Sequence, residues 1–144
     1  MDHVAIMKKS WGLLPKILSG DKKIESRWYL NKSAPWGRVK RGDRVYFKNS
    51  GEPVTVRSEV EKVKSFEGLN PSMVRRILGE YGHDDGIKSK DMVSYYQLFK
   101  DKRYCLLVFL KNPQKIIPFN INKKGFGFMA AWLTVDRVDK LRVS

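Results

Sequence analysis

Residues 54–66 read Val-Thr-Val-Arg-Ser-Glu-Val-Glu-Lys-Val-Lys-Ser-Phe, and their alternation limits the fold more than any other stretch. Successive side chains of a strand point to opposite faces, so Val54, Val56, Ser58 and Val60 share one face. The opposite face carries Thr55, Arg57, Glu59 and Glu61. That is the pattern of a half-buried strand with one side on a core. The phase shifts near Val63, as at a β-bulge. Asn49-Ser50-Gly51-Glu52-Pro53 precedes the run as a turn, and residues 43–48 alternate as a strand before that turn.

Other strands are expected at 3–8, 22–29, 103–110 and 114–119, with a turn at Asn112-Pro113 and a closing strand over Trp132–Leu141. Ser10 is placed to cap a short helix over Trp11–Leu18, whose apolar residues Leu13, Leu14, Ile17 and Leu18 have helical spacing. Pro15 conflicts with an unbroken helix from Ser10, and Gly20 ends the segment. Asn70-Pro71 opens a second helix as cap and first-turn proline, with Met73, Val74, Ile77 and Leu78 in one stripe up to Gly79. A third is expected over Lys90–Phe99, with Met92, Val93, Tyr96 and Phe99 inward. The fold class is therefore α+β: a small mixed β-barrel with short helices, residues 1–144 as one domain, and a helical insert at 68–101 over one end of the barrel.

Twenty-nine Lys and Arg face fifteen Asp and Glu, a formal charge of +14. Such an excess repels itself in the compact state and suits a polyanionic partner. Cys105 is alone, which excludes an intrachain disulfide and a cysteine metal site. It lies in the apolar run Tyr104–Leu110, where a buried, inert thiol is expected. That run is far short of the roughly 20 residues of a membrane helix. The N-terminus carries no signal-peptide pattern, so a cytoplasmic protein without a membrane partner is expected. His3 and His83 stand eighty residues apart with no partner motif. His83-Asp84-Asp85 reads as a solvated loop, and neither a metal nor a cofactor is expected.

Gly20-Asp21-Lys22-Lys23-Ile24-Glu25-Ser26-Arg27, followed by Trp28, is the leading functional candidate. On a strand over 22–29, Lys23, Glu25 and Arg27 share one face and Lys22, Ile24, Ser26 and Trp28 the other. A carboxylate between cations is ionised and oriented, able to accept from a base's amino edge or a ribose hydroxyl. Lys22 would hold a phosphate or act on a carbonyl if burial lowered its pKa. The same residues equally describe an ion network that fixes the strand to the barrel.

The string G-x-K-x-x-E-x-R resembles the signature of the ASCH domain family. Val39-Lys40-Arg41-Gly42-Asp43-Arg44-Val45-Tyr46-Phe47 resembles a strand opening common to ASCH and other PUA-like β-barrels. The resemblance covers residues 4–64 and implies a PUA-like fold facing RNA. Some bacterial ASCH proteins are similar at Gly20, Lys22 and Arg27 and hydrolyse acetylated cytidine with the lysine and a threonine nucleophile. That threonine falls where this chain has Glu25, so the resemblance does not bring the activity with it. Other ASCH proteins act as nucleases, which keeps an RNA-hydrolase reading open.

Aromatic rings interleaved with cations form a second constellation: Trp28, Trp36 with Arg38, Tyr46 with Lys48, and Phe126 and Phe128 beside Lys123 and Lys124. Single-strand binders stack bases on exposed rings and track phosphates with cations. Trp36 and Phe126 lie in loops and are the expected stackers, whereas Trp28, Tyr46 and Trp132 suit a core or pocket floor. Lys32, Arg38, Lys40, Arg41 and Arg44 form a basic run opposed by Asp43.

The expected function is binding of RNA or another single-stranded nucleic acid. Lys22, Glu25 and Arg27 would form the floor, with Trp28 beside them. Trp36 and Phe126 would stack bases, and Arg38, Lys40, Arg41, Lys48, Lys123 and Lys124 would meet phosphates. Two alternatives stand beside it. One is a hydrolase acting on RNA or a modified nucleoside, with Lys22 and Glu25 catalytic. The other is a protein-interaction module presenting Met73, Tyr81, Tyr95 and Tyr96 on the insert.

Overall fold

A computed structural model describes residues 1–127 and 129–143; Phe128, paired above with Phe126, lies outside the described residues. The strands are β1 (Asp2–Met7), β2 (Ile24–Tyr29), β3 (Arg44–Asn49), β4 (Val54–Phe66), β5 (Tyr104–Ile121), β6 (Trp132–Val135) and β7 (Arg142–Val143). The helices are α1 (Leu13–Ser19), α2 (Pro71–Tyr81) and α3 (Met92–Phe99), with 3-10 turns at Lys9–Trp11, Ser89–Asp91 and Val138–Leu141. The sheet runs in the order β2-β5-β4-β3-β1-β6, and β7 pairs with the far end of β5. β1 lies parallel to β3, whereas β1–β6, β2–β5, β3–β4 and β4–β5 are antiparallel. The sheet curls into a half-barrel, so that β2 and β6, at opposite ends of the order, meet through side chains. Arg27 of β2 lies 5.1 Å above the Trp132 ring of β6.

The alternation in β4 has the expected consequence. Val56 and Val60 enter the main core with Ala5, Phe47, Leu106, Val108, Leu110 and Trp132, and α1 covers it with Leu14 and Ile17. Ser58, buried on the same strand, donates to the carbonyl of Lys111 at 2.8 Å. β5 is buried on both sides: Leu106, Val108 and Leu110 face the main core, Cys105 and Leu107 the helices. This explains why Tyr104–Leu110 is continuously apolar rather than alternating. α2 packs Val74, Ile77 and Leu78 on Ile24, Cys105 and Leu107, and burial pushes the Cys105 thiol up, leaving it inert. No helix among the described residues is long and apolar enough to cross a membrane.

Several expected boundaries move. Gly12, in the left-handed region at φ 61°, precedes α1, while Ser10 sits in the 3-10 turn and caps nothing. Pro15 is then the third helical residue, where its missing N–H has no partner to lose. β2 starts at Ile24 rather than residue 22. Asn112-Pro113 is no turn: Asn112 takes φ 51° inside the 18-residue β5, and the β4–β5 register shifts opposite, between Arg57 and Glu59. The closing strand ends at Val135. In α3, Val93 is 71% exposed, and Tyr95 joins Met92, Tyr96 and Phe99 inward, because these four stand at i, i+3, i+4 and i+7 on one helical face and Val93 does not. At α2 the sequence reading holds: Asn70 Oδ1 accepts from the Met73 amide at 2.8 Å, with Pro71 in the first turn.

His3 fastens β1 between its neighbours. Its ring is fully buried; Nε2 lies 2.8 Å from Asp43 Oδ2, and Nδ1 lies 3.0 Å from both Trp132 Nε1 and Thr134 Oγ1. An indole N–H only donates, so Nδ1 is the acceptor and Nε2 carries the proton given to Asp43. The Lys40 amide and the N-terminal ammonium also reach the Asp43 carboxylate. Asp43 of the Gly42-Asp43 pair is thus a structural anchor rather than a lone counter-charge in a basic run.

Two measurements test this architecture. Phe47→Ala, a fully buried ring at the centre of the main core, is expected to cost about 3–5 kcal/mol in urea unfolding. Burial holds the His3 pKa below its ordinary 6.5 in spite of Asp43. The unfolded chain then takes up a proton that the folded chain refuses, so stability falls as pH drops through 6.5. The slope from this one group is at most about 1.4 kcal/mol per pH unit. Unfolding titrations between pH 7.5 and 5.5 should show the decline, and His3→Gln should flatten it.

Candidate functional site

Between α1 and β2 the chain turns sharply at Gly20, φ 86°. The Lys22 amide bonds back to the Lys16 carbonyl at 2.9 Å, and the amides of Lys23 and Ile24 both donate to the Asp84 carbonyl. This staples the 82–86 loop onto the start of β2. Lys22 therefore stands just outside the strand, free of the two-residue alternation, and its ammonium folds back toward Glu25. Gly86 makes the approach possible: at φ 85°, a Cβ there would lie 3.3 Å from the Lys22 side chain.

The Lys22 ammonium is enclosed. It donates to the carbonyls of Ile24 and Asp85 at 2.7 Å each and to Asp85 Oδ1 at 2.6 Å, with Glu25 Oε1 at 3.3 Å. Its three hydrogens are committed. Arg27 Nη2 donates to Glu25 Oε2 at 2.9 Å, and Ser26 Oγ donates to Asp85 Oδ2 at 2.5 Å. Trp28 Nε1 in turn donates to Ser26 Oγ at 3.1 Å. Two cations and two carboxylates thus close into a buried network whose formal charges cancel, although burial raises the Asp85 pKa against the pull of Lys22. Burial disfavours the Lys22 charge, but Asp85 and Glu25 outweigh it and hold its pKa above the ordinary lysine value. The condition for a nucleophilic lysine, a lowered pKa, is not met.

Above this floor opens a cleft of about 370 Å³. Glu25, Ser26, Arg27 and Trp28 line it from β2, Met7 and Lys8 from the end of β1, Trp11 from the 3-10 turn, and Tyr95, Phe99 and Lys102 from α3 and its exit. Trp28 stacks on Phe99, centroids 4.6 Å apart and planes 6° apart. Trp11 meets Tyr95 edge-on at 6.1 Å across the mouth and is 43% exposed. Among the described residues, no group of three His, Cys, Asp or Glu side chains is placed to hold a metal ion.

Of the residues singled out in the sequence, Lys22, Glu25, Arg27 and Trp28 come together here. Trp36, Arg38, Lys40, Arg41, Lys48, Lys123, Lys124 and Phe126 do not line the cleft. Trp36 packs edge-on against Tyr104 at 5.5 Å with Lys32 above it, and Lys32 also pairs with Glu67 at 3.0 Å. Phe126 is exposed on its loop. Lys48 lies near enough to Lys123 that burial and that neighbour's charge together lower its pKa. The sequence reading missed Asp85, which is buried at the floor rather than solvated, and the ring pair Trp11–Tyr95. The one sequence signal for Asp85 was its place before Gly86, a glycine where any side chain would crowd Lys22 and strain the backbone at φ 85°.

Removing one charge from the closed network leaves the others uncompensated. Lys22→Met is expected to destabilise the fold by about 3–5 kcal/mol. Adding Asp85→Leu should recover part of that loss. Equal unfolding midpoints for wild type and Lys22→Met would show that the network contributes nothing.

No protein-family model matches the chain, and no curated protein matches it. Among solved structures it is similar to ASCH from Zymomonas mobilis, with a TM-score of 0.67 at 16% identity over 96% of this chain and 90% of that one. A mutant form of the same Zymomonas protein gives the same TM-score over 99% of both chains. A hypothetical protein, PH0355, matches with a TM-score of 0.53 at 20% identity over 81% of this chain and all of that one. Matching backbones across almost the whole length, at an identity this low, establish architecture: the chain has the fold of that ASCH protein, an α+β half-barrel.

Proposed function

We propose that the cleft binds single-stranded nucleic acid, RNA in the first instance, by taking one nucleobase over the Lys22–Glu25–Arg27–Asp85 floor. The observation that carries this reading is a floor whose formal charges cancel and whose donors, Arg27 Nε apart, are taken up, combined with aromatic walls in a chain of charge +14. A floor without net charge offers little to a phosphate, whereas a planar neutral ring gains from contact with Trp11 and the Trp28–Phe99 stack. Lys8 and Lys102 at the rim are the cations nearest to the flanking phosphates. The basic run Arg38, Lys40 and Arg41, with Lys48, Lys123 and Lys124, would guide the rest of the strand. The sequence resemblance to RNA-facing PUA-like domains supports the same reading.

Anisotropy titrations of a labelled single-stranded oligoribonucleotide test it. Affinity is expected to fall steeply with salt, and Trp11→Ala to cost about 1–3 kcal/mol on the single strand with little change on a duplex. A flat salt response, or equal losses on both substrates, would overturn the reading.

Hydrolysis is the second reading, and a different residue supports it. Lys22 is spent and Glu25 is paired through both oxygens, but Ser26 carries a cleft hydroxyl bonded to Asp85. A serine beside a carboxylate is the arrangement in which a base relieves the hydroxyl of its proton during attack. Product formation from RNA or acylated nucleosides that disappears in Ser26→Ala would support it, and turnover unchanged by that substitution would remove it. The interaction-module reading finds less: Met73, Tyr81, Tyr95 and Tyr96 are half-buried against the second core cluster rather than displayed.

A further inference from the structure

We infer that Trp132 is a positioning residue for the cleft: His3 sets its indole, and the indole holds Arg27 in the geometry that meets Glu25. This rests on the nucleic-acid reading only for its consequence on binding. The contacts run without a gap. His3 Nδ1 accepts from Trp132 Nε1 at 3.0 Å. The Arg27 guanidinium lies 5.1 Å above the Trp132 ring, and Arg27 Nη2 reaches Glu25 Oε2 at 2.9 Å. Arg27 has few other anchors. Its remaining contact is Met7 Sδ at 3.7 Å, a weak acceptor, and its Nε–H is buried without a partner. Glu25 takes a single Nη2 hydrogen, so the plane of the guanidinium is left to the ring face beneath it and follows that ring's tilt.

Trp132 also lies where the two ends of the curled sheet face each other. No strand pairing joins β2 to β6, so the Arg27–Trp132 contact is a side-chain bridge across the opening beside the cleft. Its tilt is set from behind by His3 and therefore by the proton on that imidazole. Asp43 and the N-terminal ammonium stand on the far side of His3, Asp2 lies next in the chain, and Thr134 Oγ1 shares Nδ1 with the indole. Protonation of Nδ1 would turn the acceptor into a donor facing the indole N–H. The two would then repel, Trp132 would shift, and Arg27 would lose its seat.

The test uses the whole chain and needs no ligand for its first readout. In ¹H–¹⁵N NMR the buried Arg27 Nε–H should be visible at pH 7.5. It should broaden or shift as pH is lowered, with the same midpoint as the Trp132 indole signal and the His3 ring. Trp132→Phe keeps a ring for Arg27 but removes the N–H. In that variant the Arg27 signal should be displaced at pH 7.5 and should no longer follow the His3 titration. Binding of a labelled single-stranded oligoribonucleotide should weaken about 3- to 10-fold in Trp132→Phe and lose its dependence on pH between 7.5 and 5.5. An Arg27 signal that ignores His3 titration in wild type overturns the inference, as does one unchanged in Trp132→Phe. The pH series on wild type decides the matter even if that variant does not fold. If wild type binds no RNA, the functional reading fails while the NMR midpoints still decide the coupling.

Discussion

The closed ion network around Lys22 is the interaction on which the rest of the site depends. An isolated ammonium this deeply buried would be too costly to keep charged. Lys22 tolerates its position because two backbone carbonyls, Asp85 and Glu25 surround it. Those partners come from the first residues of β2 and the loop after α2. Two segments 63 residues apart in sequence are thereby pinned at one point. The network rigidifies the floor and takes up most of its donors and acceptors, Arg27 Nε apart; on the binding proposed above, selectivity passes to shape and to the ring faces.

A half-barrel of this order also has a mechanical consequence. β5 pairs with both β2 and β4 and is buried on both faces, so the β2 side of the sheet is firmly seated. β6 is held by β1 alone, over four residue pairs. Arg27 over Trp132 spans the opening between these ends, and the cleft lies beside it, lined by β2 and the end of β1. A buried histidine behind a tryptophan is commonplace as packing. Here it lies two contacts away from a guanidinium in the cleft.

The sequence showed much of this where a local rule governs. Alternation located β4 to its exact ends, and Asn70-Pro71 located the start of α2. The string from Gly20 to Trp28 contains the residues that β2 brings to the cleft. Local reasoning failed where a residue's neighbour lies far along the chain. Asp85 looked solvated because its partner, Lys22, is 63 residues away. Asn112-Pro113 looked like a turn because nothing local reveals that β4 runs opposite and absorbs a bulge. Trp36 was favoured as a base-stacker because it sits in a loop, yet that loop folds back and packs the ring against Tyr104.

By itself the sequence determined the strand and helix periods, the excess of positive charge and the cluster of ionisable residues at 22–27, because these follow from spacing and composition. Only the tertiary structure decided that Lys22 is enclosed rather than reactive, that Asp85 completes its shell, and that Trp11, Tyr95 and Phe99 form the walls. Burial and pairing are properties of surroundings, and much of what surrounds β2, from Asp85 to Phe99 and β5, lies sixty or more positions away.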